Sequence, residues 1–204
     1  MFHSDLELIL LYLSASLGGY IVGSIPSGLI FTRLAGMGDV RGIGSGSIGA
    51  TNVLRTGNKA VAAATLLTDV GKGAATVFAF GMLGTTPGLI AGLGAVLGHN
   101  FPVWLRFAGG KGIATSFGVL LVASWPVGLL TSLTWIVTAL LFRISSLASL
   151  VAAAAVPFYM NWLETGHHTA LAIALAVLAL ICHHENIRRL LKGEEPKIGK
   201  KTKK

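Results

Sequence analysis

Three polar stretches carry the residue types that do chemistry. The first reads Gly44-Ser-Gly-Ser-Ile-Gly-Ala-Thr-Asn-Val-Leu-Arg55. Gly44, Gly46 and Gly49 let a backbone turn through positive φ and come close to a ligand. Successive amides in such a loop can form an anion-binding nest. Ser45, Ser47, Thr51 and Asn52 add hydrogen-bonding side chains. Arg55 adds a permanently charged fork that matches phosphate or carboxylate. A flexible linker is the plain alternative, but glycines, hydroxyls and an arginine together point to anion binding.

The second stretch is Gly98-His-Asn-Phe-Pro-Val-Trp-Leu-Arg-Phe-Ala-Gly-Gly-Lys-Gly112. Gly109, Gly110 and Gly112 flank Lys111, so a phosphate can approach the ammonium. The chain has no Walker loop, and Gly-Gly-Lys-Gly gains weight only beside the first glycine loop. The third stretch is His183-His-Glu-Asn-Ile-Arg-Arg-Leu-Leu-Lys-Gly-Glu-Glu-Pro-Lys-Ile-Gly199. On a helix, His183 shares a face with Asn186, and Asn186 with Arg189. His183 can act as a general base or a phosphate donor, or simply cap a span at the interface. His184 points one helix step away, and His3, His167 and His168 are expected to be solvated. No cluster of His, Cys and carboxylates has metal-ligand spacing, so neither metal nor cofactor is expected. The single cysteine, Cys182, excludes an intramolecular disulfide.

These stretches sit in a very apolar chain. Of its 204 residues 53% are hydrophobic and only 12% charged, with a mean hydropathy of +0.73. About 25% charge is usual in soluble domains, so the composition points to an all-α integral membrane protein. The 27 glycines suit close helix packing in lipid. The net charge of +8 does not indicate nucleic acid, because the Lys and Arg residues lie between apolar segments and at the C-terminus.

Seven spans are expected in a single domain covering residues 1–204: Leu6 to about Arg33, Ala60–Phe80, Gly88 to about Pro102, Ile113–Ala123, Val127–Phe142, Ser146 to about Asn161, and Thr169–Cys182. The start lacks the basic residues of a cleavable signal peptide, so the first run is expected to be kept as a span. Gly19, Gly23 and Ser27 would form a small-residue face, and Pro26 would break the helix near its inner end. Ser24 either lines the site or bonds its own helix. Asp69 and Lys72 fall three apart within the second span, where they pair with each other or face a site.

Charge sets the expected orientation. Arg33, Arg41, Arg55 and Lys59 fall in the first loop, Arg106 and Lys111 in the third, Arg143 in the fifth and eight basic residues in the C-terminal segment. The even loops carry none. The positive-inside rule then puts the N-terminus outside and the C-terminus in the cytoplasm. The three polar stretches would meet on the cytoplasmic face. Their natural ligand has an anionic head and an apolar tail. The tail Lys200 to Lys204 would rest on an anionic leaflet.

The chain resembles the bacterial membrane-embedded glycerol-3-phosphate acyltransferases that draw their acyl group from acyl phosphate. The resemblance rests on Gly23-Ser-Ile-Pro-Ser-Gly28, the Gly44–Arg55 stretch, His99-Asn-Phe-Pro-Val-Trp, Gly109-Gly-Lys-Gly-Ile-Ala-Thr115 and His183-His-Glu-Asn-Ile-Arg-Arg-Leu, in the family's order. It implies that acyl phosphate and sn-glycerol 3-phosphate give lysophosphatidic acid and phosphate, the first acylation of phospholipid synthesis, in a bacterial inner membrane. It also implies catalytic or phosphate-binding roles for Ser45, Arg55, Lys111, His183 and Asn186. Ser24, Gly44, Gly46, Ser47, Gly49, Thr51, Asn52, His99, Gly110 and Arg189 are the expected binding residues around them. Two positions depart from the family pattern: Ser47 stands where Asn is usual, and Cys182 where a basic residue is common. An acyltransferase using acyl-CoA or acyl carrier protein, or an organic-anion transporter, is the alternative.

Overall fold

The computed structural model describes residues 4–164 and 166–198. His3 and the Lys200–Lys204 tail lie outside the described residues. Among the described residues the regular structure is helical. The elements are α1 (Asp5–Gly23), α2 (Ser27–Leu34), α3 (Ala50–Leu54), α4 (Lys59–Gly81), α5 (Thr85–Asn100), α6 (Ile113–Ala123), α7 (Trp125–Phe142), α8 (Ser145–Leu163), α9 (His167–Cys182) and α10 (His184–Leu191). Each expected span coincides with one of these helices or, for the first span, with the pair α1 and α2.

Five segments are long and apolar enough to cross a membrane: Asp5–Leu34, Lys59–Gly81, Thr85–Leu105, Trp125–Phe142 and Ser145–Leu163. A sixth arises if α9 and α10, bent by 63°, count as one span. The expected fourth span, α6, is only 11 residues long. The molecule is therefore an all-α integral membrane protein with five to six candidate spans. Large apolar side chains such as Leu10, Leu17, Phe78, Leu140, Phe158 and Trp162 face outward, as a lipid-embedded bundle requires.

Glycines set the tightest packing. A Cβ on Gly19 or Gly23 of α1 would lie 2.0 Å from the carbonyl oxygen of Ala91 or Ala95 on α5. The two backbones therefore touch, as small-residue faces allow. Ser27 lies past the break at Pro26, on α2, and does not extend that face. Likewise Gly118 of α6 meets the Val70 carbonyl of α4, which draws the short helix against the long one. Val77, Val96, Val119, Leu120, Val156 and Met160 fill the buried core.

Two side chains tie the turn after α5 to the end of α1. Tyr20 Oη donates to the Phe101 carbonyl at 2.7 Å, and Trp104 Nε1 to the Ser24 carbonyl at 2.8 Å. His167, expected to be solvated, opens α9 and lies 2.8 Å from Thr86 Oγ1 through its Nδ1. It thus stands beside the start of α5.

Candidate active site

A cavity of about 570 Å³ lies where the three polar stretches meet. It is reached from the end of α5 at His99, the start of α6 at Ile113, the start of α8 at Ser145, and the bend between α9 and α10 at His183. The first glycine loop and the N-terminal half of α4 complete it. Ser45, Ser47, Gly49, Thr51, Asn52, Arg55, His99, Lys111, His183 and Asn186 all line it. Ser24, Gly44, Gly46, Gly110 and Arg189 do not.

The loop owes its shape to Asn52. Its Nδ2 donates to the carbonyls of Val40 (2.9 Å), Ile43 (3.1 Å) and Ser47 (2.8 Å), while its Oδ1 accepts from the Ser45 amide at 3.0 Å. The side chain is 2% exposed. Asn52 therefore staples the loop, although the sequence reads equally well as a ligand contact. The amides of Gly46 and Gly49 are also used internally, by the Ile43 carbonyl and Ser47 Oγ. Three amides of the expected nest are thus already bonded, and charge selection falls to side chains.

Gly44 is the bed on which Arg55 lies. Its φ is +55°, and a Cβ there would stand 2.5 Å from Arg55 Nη1 and 2.4 Å from Asn52 Oδ1. Alanine at this position is strained and displaces the guanidinium. Gly44→Ala is expected to lower kcat/KM for an anionic substrate about 10- to 100-fold, since a misplacement of about 1 Å costs up to that much. Steady-state kinetics check this, and wild-type values would show that Arg55 does not depend on Gly44.

The cations differ in their engagement. Among the described residues no carboxylate lies within ion-pair distance of Arg55 or Lys111, whereas Arg33 and Arg41 each have one and Arg189 has two. Burial lowers the Arg55 pKa, with Glu195 opposing and Arg189 reinforcing; a guanidinium still keeps its proton. Lys111 Nζ donates to Asn186 Oδ1. Burial brings its pKa down from 10.5 to about 8; Glu195 opposes this, and Arg189 and Arg55 add to it.

Glu195 is the site residue that sequence reasoning did not single out. Its carboxylate accepts from Ser146 Oγ (2.8 Å), Asn186 Nδ2 and Arg189 Nε (2.7 Å). Burial alone would raise its pKa, but these three donors hold it below the ordinary carboxylate value. A carboxylate among the basic residues of the C-terminal segment was its only signal in the sequence. The Ile198 amide donates to the Arg143 carbonyl at 2.7 Å, so the segment after α10 crosses to the α7–α8 turn. Arg189, expected at the phosphate, instead holds Glu195 and approaches Glu185 at 3.6 Å.

His183 is 2% exposed and its Nδ1 donates to the Ala179 carbonyl at 2.8 Å. That bond fixes the tautomer and leaves Nε2 as an acceptor. Ser45 Oγ has no hydrogen-bonding base among the described residues. Ser24 is buried with an unbonded hydroxyl, against Gly98 rather than the cavity. Asp69 and Lys72 do pair, at 2.9 Å. Asp69 and His99 line the cavity while Lys72 stands behind them.

Comparison with known proteins gives the family. The family model for glycerol-3-phosphate acyltransferase matches residues 13–193. A glycerol-3-phosphate acyltransferase of Paramagnetospirillum magneticum is 55% identical over 199 residues, covering 97% of each chain. One from Caulobacter vibrioides is 58% identical over 191 residues, covering 92% of this chain and 88% of its own. The crystal structure of PlsY, an integral membrane glycerol 3-phosphate acyltransferase, in its glycerol 3-phosphate form superposes with a TM-score of 0.86 at 35% identity. That match covers 92% of this chain and 96% of the other. The lysophosphatidic acid form gives 0.84 at 34% identity, over 92% and 95%. On its sequence, its fold and its cavity, the chain belongs to the glycerol-3-phosphate acyltransferase family.

Proposed function

We propose that this enzyme transfers an acyl group from acyl phosphate to the sn-1 hydroxyl of glycerol 3-phosphate, giving lysophosphatidic acid and inorganic phosphate. The observation that carries the reading is that Arg55 and Lys111, which have no carboxylate partner among the described residues, share one cavity with an apolar cleft. Both substrates are phosphorylated, and the two cations with the Ser45 and Thr51 hydroxyls hold the anionic heads. The cleft runs between Leu66, Leu67 and Val70 of α4 and Trp135 and Ile136 of α7, with Phe117 and Leu121 of the short α6 between them. Leu67 and Ile136 are 71% and 47% exposed, so an acyl tail can enter sideways from lipid.

In the transfer, the sn-1 oxygen bonds to the acyl carbon and the bond from that carbon to the phosphate oxygen breaks. The electron pair leaves with phosphate, a good leaving group, so no enzymic nucleophile is needed. Positioning and charge stabilisation do the work. His183 Nε2 takes the hydroxyl proton, and Ser45 serves as a hydrogen-bonding group. In a single turnover with labelled acyl phosphate, phosphate release should require glycerol 3-phosphate, and intact-mass analysis should find no acylated protein. An acyl group trapped on Ser45 would overturn direct transfer.

We infer seven passes in one domain, with the N-terminus outside and the site facing the cytoplasm. The lining supports this: it comes from the C-terminal end of α5, the bend after α9, the middle of α7, the N-terminal parts of α4 and α8, and the length of the short α6. The meeting of C-terminal and N-terminal ends fits a chain crossing back and forth, with α6 as a short pass over a locally thinned bilayer.

Lys111 sets the pH dependence. Its charge is present below about pH 8 and is lost as pH rises through that value. The kcat/KM for glycerol 3-phosphate, which reports the free enzyme, should fall above pH 8, by about tenfold per unit once Lys111 is mostly neutral. In Lys111→Arg this alkaline limb should move beyond pH 10. An unchanged limb in that variant would assign it to another group.

A further inference from the structure

We propose that the buried pair Asp69 and Lys72 consists of positioning residues: it fixes His99 as an Nε2–H donor at the cavity wall, backed against the loop that carries Lys111. This rests on the acyl-transfer reading above and extends it to residues that do not themselves meet substrate.

Lys72 is 6% exposed within α4. An ammonium has three hydrogens, and Lys72 Nζ has three acceptors. They are Asp69 Oδ1 at 2.9 Å, the Ile25 carbonyl at 3.0 Å and His99 Nδ1 at 2.7 Å. The Ile25 carbonyl is exposed by the break before α2, where Pro26 interrupts the helix. Asp69, 1% exposed, is bonded in turn by Ser27 Oγ at 2.6 Å. The pair thus joins α4 to the α1–α2 break and to the end of α5.

The consequence falls on His99. An Nδ1 that accepts from an ammonium carries no proton, and a doubly protonated ring would set two cations 2.7 Å apart. The proton therefore sits on Nε2. That atom faces the second glycine loop: a Cβ on Gly110 would stand 1.9 Å from it. The Gly110 amide also donates to the His99 carbonyl at 2.9 Å. His99 lines the cavity, and no described group accepts from its Nε2. A directed N–H donor thus stands next to the residue preceding Lys111. Without Lys72 the nearest partner of Nδ1 is Asp69 Oδ1, 3.5 Å away, which draws a proton onto Nδ1. A purely structural ion pair would not require one neutral tautomer to face an anion site.

Histidine-selective 15N NMR of the detergent-solubilised protein tests this without substrate, the His99 signals being those lost in His99→Gln. The wild type should show Nε2 protonated and Nδ1 bare, and in Lys72→Met Nδ1 should gain a proton, drawn by Asp69. The double variant Asp69→Leu/Lys72→Leu removes both charges together and leaves no unpaired buried charge. It should keep a folded thermal transition while kcat/KM falls about 10²-fold, the scale of one lost preorganised donor. His99→Gln, whose amide can donate from a similar position, should retain more activity than His99→Phe. An Nδ1-protonated His99 in the wild type, or wild-type kinetics in the double variant, would overturn the proposal. Failure of the acyl-phosphate reading would appear differently, as a wild type inactive with that donor.

Discussion

Lys111→Ala is expected to lower kcat by about 10²- to 10³-fold or more while leaving the fold intact. One preorganised charge at a developing anion is worth that much, and Lys111, like Arg55, lines the cavity with no carboxylate partner among the described residues. The stability effect has the opposite sign from intuition. A lysine whose pKa falls from 10.5 to about 8 on folding destabilises the folded state wherever the unfolded chain would keep its proton. That covers neutral pH, so removing the side chain removes a buried charge the fold tolerates at a cost. The loss is confined to one accepted bond at Asn186 Oδ1. Kinetics with purified protein, alongside thermal unfolding in detergent, separate the two effects. A large fall in unfolding midpoint would mean that Lys111 is structural.

Glu195→Ala should behave in the reverse way, with unfolding first and catalysis lost as a result. Its side chain is only 4% exposed and joins Ser146, Asn186 and Arg189. Removing it leaves an arginine and two polar groups without their acceptor, a loss on the order of 3 kcal/mol. Its pKa is held below the usual value. The stability it supplies is therefore present at neutral pH and is lost as pH falls below the ordinary carboxylate range. Activity should drop too, because Asn186 links Glu195 to Lys111. Glu195→Gln keeps the shape without the charge and should fall between wild type and alanine. A Glu195→Ala protein as stable as wild type would show that the C-terminal crossing is held by other contacts.

Much of the fold was legible because apolar runs in lipid have only one outlet, the helix. The bounds of α6, Ile113–Ala123, read directly from the sequence. The meeting of three distant motifs was legible through charge, since basic loops share a face. Asn52 read as a ligand residue because sequence cannot say whether an amide turns toward a substrate or its own loop. Arg189 read as a phosphate binder because its partner Glu195 reaches it only after the chain folds back past α10. The cleft walls were illegible for another reason: in sequence, Leu67 on the cavity wall looks the same as Leu140 on the outer surface. The link from Lys72 to the Ile25 carbonyl depends on the break at Pro26 and on how α4 lies beside it.

The donor assay tests the central claim most directly. Purified protein in detergent or lipid is given glycerol 3-phosphate with acyl phosphate or with acyl-CoA, and lysophosphatidic acid and free phosphate are measured together. Equal amounts of both products are expected from acyl phosphate. Acylation from acyl-CoA alone, with no phosphate released from acyl phosphate, would contradict that claim.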